Sequence, residues 1–388
     1  MKRTIASEYV SFGHPDKIAD QISDALLDAI LLQDSNPRTG IEVMVKDNVV
    51  VLGGEINTTA HIDYDSVVRR VFKKFNFSSE HGLSPEKIKI INLIGKQSPE
   101  IHNGVDKKGG EIGAGDQGFV VGFATNETEE FLPLGYYIAK KICTYVSKKM
   151  EGVGPDAKSQ VIVTYDENGN STIDSILVST MHGESVSLSY IRENVADAIV
   201  CNKVGFSDVV YKKIVDGFSK RLNIMVNPCG EWRMGGPVSD CGLTGRKIVV
   251  DQYGGYCNVG GGAFSGKDMT KVDRSAAYMA RYLARNIVGS GICNNAKIEI
   301  SYTIGVPEPS SLNIEMDINR EKSEKIKTFI LENIDLTPKG IMERFRHSIP
   351  RYEHLAEYGH FGNGKNATYY PWEVNDFSEK LKIYLENT

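Results

Sequence analysis

The sequence predicts an α+β fold in which a strand–helix–two-strand–helix unit recurs about three times along 388 residues. Three observations predict it. Apolar residues recur at helical spacing in well-separated segments. Short β-branched runs lie between them, in pairs. The order of the two kinds of segment repeats, although no residue-level repeat accompanies it.

Asp16–Leu32 reads as the first helix. Ile18, Ile22, Leu26 and Ile30 recur every four residues, with Asp20, Asp24 and Asp28 on another face. Pro15 suits the first turn, and Asp16 suits the positive end of the helix dipole. Ile41–Lys46 and Val49–Ile56 read as strands joined at the turn-forming Asp47-Asn48. A helix over Tyr64–Phe75 and a strand over Ile88–Ile94 complete the first cycle. The second has a strand over Gly118–Ala124, a helix over Leu134–Lys149, strands over Ser159–Tyr165 and Ile173–Thr180, a helix over Leu188–Val200 and a strand over Leu222–Val226. In the last third Arg274–Val288 reads as a helix, Ile298–Ile304 and Ser311–Met316 as strands, and Glu321–Asn333 as a helix.

Two stretches do not read as core. Gln97–Gly115 is polar and glycine-rich, and too long for a plain connector; such loops serve as functional lids or are disordered. Gly235–Gly266 carries ten glycines, which points to close backbone approach to a ligand or to tight turns.

Composition narrows the function. Hydrophobic residues are 41% and charged residues 24%, the balance of a globular protein. The net charge is −5, which argues against a nucleic-acid or anionic-membrane binder. No apolar stretch reaches the roughly 20 residues of a membrane helix, and the first residues do not read as a secretory signal. Cys143, Cys201, Cys229, Cys241, Cys257 and Cys293 form no Cys-x-x-Cys pair and predict reduced, mostly buried thiols in a cytoplasmic protein.

Three clusters carry the chemistry. Gly261–Asp268 nearly matches a phosphate loop, but Asp268 stands where a magnesium-binding hydroxyl is required. Glycine N–H groups and Lys267 suit phosphate oxygens; a glycine-rich turn with an incidental lysine fits this segment equally well. Lys271, Asp273, Asp240, Arg246 and Lys247 lie close by in sequence, a mixture of cations and carboxylates that suits a polyphosphate with magnesium. Gly13–Lys17 sets His14 and Asp16 at a helix N-terminus, where anions bind; taken alone, the same residues read more readily as a simple helix cap with solvated neighbours. Gly113–Gly118 encloses Asp116, which suits an amine or a turn.

Taken together these segments resemble the S-adenosylmethionine synthetase (methionine adenosyltransferase) family. The resemblance runs in order from about Ser7 to Trp372. It includes Gly13–Lys17, Gly53-Gly54-Glu55, Gly95–Pro99, Gly113–Gly118, Pro155–Gln160, Gly260–Asp268, Val272–Ala277 and Tyr358–Gly362.

The resemblance implies synthesis of S-adenosylmethionine from ATP and L-methionine by sulfur attack on ribose C5′, with the released triphosphate cleaved to phosphate and diphosphate. It implies two Mg2+ per site and K+. By matching position, His14, Lys158, Arg246, Lys247 and Lys267 would hold the triphosphate, with His14, Lys158, Arg246 and Lys267 catalytic. Asp156, Trp232, Asp240 and Ala263 would complete the ATP site. Glu55, Gln97, Asp116, Asp240 and Lys271 would surround methionine. Asp16 and Asp273 would each hold Mg2+, and Glu42 would hold K+. The resemblance further implies three similar α/β domains about a pseudo-threefold axis, with mixed and antiparallel sheets, near residues 1–101, 112–230 and 231–374. Strands would be exchanged between them, and residues 97–108 would form a gating loop. Two chains would share the active sites in a homodimer, often paired again into a homotetramer. Two departures stand out: Glu231-Trp232 where Arg-Phe is usual, and Phe12 where Glu or Pro is common.

Overall fold

The computed structural model describes residues 2–77, 82–97, 112–345, 349, 351–363 and 369–387. The first unit comprises β1 (Arg3–Val10), α1 (Pro15–Leu31), β2 (Arg38–Lys46), β3 (Val49–Asn57), α2 (Tyr64–Lys73), β4 (Lys89–Asn92) and β5 (Gly95–Lys96). The second comprises β6 (Gly118–Thr125), α3 (Leu134–Lys149), β7 (Val153–Tyr165), β8 (Ser171–His182), α4 (Leu188–Val200), α5 (Asp208–Ser219) and β9 (Asn223–Val226). The third comprises β10 (Gly242–Leu243), α6 (Ile248–Asp251), α7 (Val272–Gly289), β11 (Asn295–Tyr302), β12 (Ser311–Met316) and α8 (Arg320–Asn333). The described C-terminal segments add α9 (Pro338–Phe345), α10 (Tyr352–Tyr358) and α11 (Ser378–Glu386).

Each unit lends its first strand to another unit's sheet. The sheets run β10-β2-β3-β4 with β5 beside β3, β1-β7-β8-β9, and β12-β11-β6. Thus β10 closes the first sheet, β1 the second and β6 the third. In each unit the next long helix packs on the sheet that its own hairpin forms: α1 on β2, α3 on β7, α7 on β11 and β6. The three domains are therefore interlocked in a cycle. The packing of α7 is close, since a Cβ at Gly122 of β6 would lie 2.0 Å from the carbonyl carbon of Ala280. Antiparallel hairpins form the centre of every sheet, and β4 and β9 join in parallel.

The apolar stripe of α1 is buried as the sequence predicts, against Ile41, Val43, Val45, Val50 and Leu52. The aspartate face is covered too, with Asp16, Asp20 and Asp24 buried and Asp28 half-buried, and this defines the site. Asp16, Asp20, Asp24 and Asp28 lie at four-residue spacing and act as a ladder of acceptors for loops from the last third of the chain. They accept N–H groups from Leu243 (2.9 Å), Gly245 (2.9 Å), Gly266 (2.9 Å) and Tyr352 (2.7 Å), respectively. Where the carboxylate is ionised, bonds of this kind contribute about 1.5–3 kcal/mol each.

Burial pushes the Asp28 carboxyl up to about 7, against the pull of N–H donors at Glu353 and Tyr352. The folded state then keeps a proton that the unfolded chain releases near pH 4, so this group withdraws stability as pH rises from about 4 to 7. Asp28→Asn is expected to flatten that slope. Its melting temperature should gain on wild type at pH 8 relative to pH 5, by the equivalent of up to about 2–3 kcal/mol; parallel pH profiles in calorimetry would contradict this.

Candidate active site

The N-terminus of α1 is built by a loop that zips onto β7. Ser11 donates its N–H to Ala157 O (2.9 Å) and its hydroxyl to Pro155 O (2.6 Å). A side chain at Gly13 would meet Pro155 at 2.5 Å, so only glycine lets the loop lie this close. His14 is the N-cap, and its Nδ1 accepts from Asp16 N at 3.2 Å. That leaves Nε2 as the protonated nitrogen of a neutral ring. Burial, helped by the Lys247 and Lys158 charges, drops its pKa to about 3.

Asp16 gathers the cations. Its Oδ2 lies 2.5 Å from Lys247 Nζ, and its Oδ1 lies 3.8 Å from Arg246 while accepting Leu243 N–H. Burial works to raise its pKa, but the Lys247 and Leu243 hydrogen bonds prevail and hold it below the usual carboxylate value. Lys17 points the other way, buried between Asp20 (3.0 Å) and Asp251 (2.5 Å).

β7 begins earlier than the predicted Ser159, so Asp156 and Lys158 belong to its first half. Asp156 is buried and accepts from Gly236 N at 2.8 Å, while its Oδ1 has no partner among the described residues. Burial pushes this carboxyl up to about 7; Lys158 opposes the rise and Asp240 and Asp16 add to it, so all three lie within its electrostatic reach. Asp240 itself is exposed and accepts from Cys241 N. Trp232 is half-buried against the first unit's core and joined to Met234 O through its indole N–H at 2.7 Å. The reversed charge at Glu231 is neutralised locally, by Arg233 at 2.9 Å. The other departure has a packing role: Phe12 stacks on Phe75 (5.7 Å), with the Lys148 ammonium 4.4 Å from its ring centre.

A second cluster forms at the N-terminus of α7. The Gly260–Asp268 loop is not a phosphate loop. Its Asp268 is a knot that accepts from Thr39 N (2.7 Å), Thr270 N (2.9 Å) and Lys271 Nζ (2.9 Å). Lys267 bridges to Gly40 on β2, and its ammonium lies 2.6 Å from Asp273 Oδ2. Asp273 falls in the first turn of α7, which starts two residues before the predicted Arg274. Gly262 makes room for it, since a Cβ there would lie 2.2 Å from the Asp273 carboxyl carbon. Gly115 and Gly118 run past Lys271 and Asp273, which brings the Asp116 segment alongside. Most of the glycine density is thus tight packing against protein; of the loop glycines, Gly261 faces open space.

Glu42 and Glu55 lie on the face of the first sheet that turns away from α1. Register sets Glu42 opposite Gly53, and Glu55 opposite Gly40 and Gly95. Gln97 pairs with β3 through its N–H to Ile56 O (3.1 Å), and its buried Oε1 has no partner among the described residues. Glu55 and Lys267 thus flank Gly40 from opposite sides, and Gln97 lies on the far side of β3 from Lys267. Ala263 packs close to Gly245, where an added Cβ would lie 2.5 Å away. The rest of the proposed gating loop, 98–108, lies outside the described residues.

The structure brings together His14, Asp16, Asp156, Lys158, Asp240, Arg246 and Lys247 as one group, and Lys267, Lys271 and Asp273 as another. Among the described residues no ion pair joins the two. Sequence reasoning missed Asp24 and Arg274, which lie behind the second group; their only advance signals were the aspartate spacing and the adjacency of Arg274 to Asp273. No group of three or more His, Cys, Asp or Glu side chains able to hold a metal occurs among the described residues. Both clusters mix cations with carboxylates at helix N-termini, an arrangement suited to a polyanion.

Three family models cover the chain. They are the N-terminal domain of S-adenosylmethionine synthetase at residues 2–99, its central domain at 111–232 and its C-terminal domain at 234–374. The chain belongs to the S-adenosylmethionine synthetase family. Its relatives include the S-adenosylmethionine synthase of Borrelia garinii subsp. bavariensis, 42% identical over 395 residues, covering 99% of this chain and 98% of that one. That of Wolinella succinogenes is 42% identical over 387 residues, covering 98% and 97%. A solved structure of an unusual S-adenosylmethionine synthetase from Campylobacter jejuni superposes with a TM-score of 0.84 at 34% identity, covering 98% of this chain and 99% of that one. Among the described residues no helix is long and apolar enough to cross a membrane. All six cysteines are free, but they are less buried than the sequence suggested: Cys143 and Cys293 are buried, and Cys201 and Cys229 are exposed.

Proposed function

We propose that this protein joins ATP to L-methionine to give S-adenosylmethionine, then cleaves the released triphosphate to phosphate and diphosphate. The observation that carries this reading is the convergence of His14, Lys247 and Arg246 on Asp16 at the start of α1, matched by Lys267 on Asp273 at the start of α7. A thioether sulfur needs no deprotonation before it attacks ribose C5′, so a site of cations, carboxylates and glycine turns suffices. Catalysis is positioning plus stabilisation of charge on the leaving triphosphate. His14 donates through Nε2, and Lys158, Arg246, Lys247 and Lys267 take phosphate oxygens. Asp156, Trp232, Asp240 and Ala263 border the nucleoside, and Glu55, Gln97, Asp116, Asp240 and Lys271 border methionine.

Asp16 and Asp273 would each hold a Mg2+, and Glu42 a K+. Magnesium on a nucleotide needs only one or two protein carboxylates besides phosphate oxygens, so a single hard-oxygen donor in each cluster fits, and no three-ligand cage is required. When bound, these ions neutralise phosphate charge.

An exposed face of the first sheet supports a homodimer. There Leu243, Met44, Val51 and Ile91 line up in register as a partly exposed apolar row beside Glu42 and Glu55. A second copy on this face would bury the row and bring the two clusters of different chains together; a homotetramer would pair such dimers. We place the enzyme in the cytoplasm.

The test is incubation with ATP, with and without methionine. The expected result is a sulfonium product by mass spectrometry that requires methionine, is abolished by EDTA and is reduced without potassium. Phosphate release with no sulfonium product would indicate a triphosphatase, and ATP binding without any product a non-catalytic subunit. Adenine stacking on Trp232 predicts quenching of its fluorescence by ATP. Trp372 is fully buried and stacked 3.7 Å from Tyr278, so it should not respond, and Trp232→Phe should remove the change.

A further inference from the structure

We propose that the buried pair Asp24–Arg274 positions Lys267 and Asp273 for the reaction; this rests on the functional reading above. Both side chains are wholly inaccessible to solvent. The guanidinium grips the carboxylate with two bonds, 2.7 Å to Oδ1 and 2.9 Å to Oδ2. The remaining donors and acceptors of the pair hold the backbone on either side of Lys267. Asp24 Oδ1 accepts the N–H of Gly266 at 2.9 Å, and Arg274 Nη1 donates to the carbonyl of Lys267 at 3.1 Å. Ile41 N–H takes the Gly266 carbonyl at 3.1 Å, and Asp268 is tied to Thr39. Gly266 has a φ of 80°, and a Cβ there would meet Ile41 O at 2.0 Å, so this peptide has one seat.

Arg274 also follows Asp273 directly. One guanidinium thus fixes the Lys267 backbone and the first turn of α7, the two ends of the 2.6 Å Lys267–Asp273 contact. Its Nε donates to Tyr278 OH at 3.0 Å, and Tyr278 bonds His360 Nδ1 at 2.7 Å, so the guanidinium is itself held from behind. Fold stability alone does not call for such a pair. Apolar residues of similar size often serve a core as well as a buried ion pair or better. What apolar residues cannot supply is an acceptor for Gly266 N–H and a donor for Lys267 C=O. Asp24 and Arg274 are accordingly positioning residues, acting through Lys267 and Asp273 without touching substrate.

The experiment uses the full-length protein with Asp24→Leu and Arg274→Met combined, which removes both charges together. Asp24→Glu is a second arm; it keeps the charge and displaces the carboxylate by one methylene. Two rates are read: sulfonium formation, and phosphate release from inorganic tripolyphosphate, which needs no methionine. The apolar pair is expected to stay folded by circular dichroism and to lose about 100-fold in kcat in both assays, as misplacement by about 1 Å does. KM for methionine should change less than about threefold, and Asp24→Glu should lose about tenfold in kcat. In a Lys267→Met background the apolar pair should cost about tenfold instead of about 100-fold, since only Asp273 is then left to position. A folded variant of either kind with wild-type kcat overturns the proposal, as does an undiminished loss in the Lys267→Met background. Wild type that cleaves tripolyphosphate but forms no sulfonium would sink the functional reading, and the tripolyphosphate assay would still judge the clamp.

Discussion

Lys267→Met is expected to lower kcat for S-adenosylmethionine formation by about 10²–10³-fold while the protein stays folded. The side chain is about one quarter exposed, and its ammonium contacts Asp273 at 2.6 Å. Methionine keeps the length and most of the volume of the aliphatic stem, so packing is little disturbed. The carboxylate left behind is partly exposed and sits in the first turn of α7, where the helix dipole favours negative charge. The cost in stability is therefore small, about 1 kcal/mol or less, as for exposed ion pairs. The cost in rate is large because negative charge grows on the leaving triphosphate in the transition state. A cation aimed there stabilises that state more than the bound substrate, so kcat falls and the KM for ATP changes little. Steady-state kinetics with both substrates varied decides the matter. A kcat within tenfold of wild type would remove Lys267 from the leaving-group role.

The stripe Ile18, Ile22, Leu26, Ile30 and the cap at His14-Pro15 were legible because helix period and capping are local rules. The helix bounds at Leu134–Lys149 and Leu188–Val200 agree with the prediction for the same reason. Strand exchange is non-local: β10 is two residues long, and nothing in Gly242-Leu243 announces a partner in Val45-Met44. The helices α9 to α11 are short and α5 follows α4 closely, so their periodicity was not read. Asp268 looked like a failed phosphate loop because its decisive partner, the Thr39 N–H, lies 229 residues away. The roles of Asp20, Asp24 and Asp28, placed only on another face of α1, were not legible for a similar reason. A buried carboxylate is recognisable only once its donors are known, and these came from loops near residues 243, 245, 266 and 352. Motif order made the candidate residues legible; their division between two helix N-termini was not, because it depends on how the interlocked sheets place α1 and α7.

Asp16→Asn is expected to be as damaging as loss of Lys267, for a different reason. The carboxylate is nearly inaccessible and serves three partners: Leu243 N–H at 2.9 Å, Lys247 at 2.5 Å and Arg246 at 3.8 Å. Asparagine can still accept from Leu243, but its amide turns a donor toward the Lys247 ammonium. Two cations intended for phosphate then lose the group that aims them, and the proposed magnesium site loses its charged ligand. The expected result is a fall in kcat/KM for ATP of about 10³-fold, or about 4 kcal/mol, with activity shifted to higher magnesium. Stability should fall as well, by about 1–3 kcal/mol at pH 7. The sign of its pH dependence is fixed by the lowered pKa of Asp16. A carboxylate held below its ordinary value adds stability above about pH 4 and loses it as pH falls through the folded value. The gap in melting temperature between wild type and Asp16→Asn should therefore be widest near neutrality and narrow below about pH 4. Magnesium titrations of activity and calorimetry across pH 3.5–7.5 test the two halves separately. An unchanged magnesium requirement would show that Asp16 aims lysines without holding a metal, and a pH-independent gap would show that its charge is not what braces the loop at Leu243.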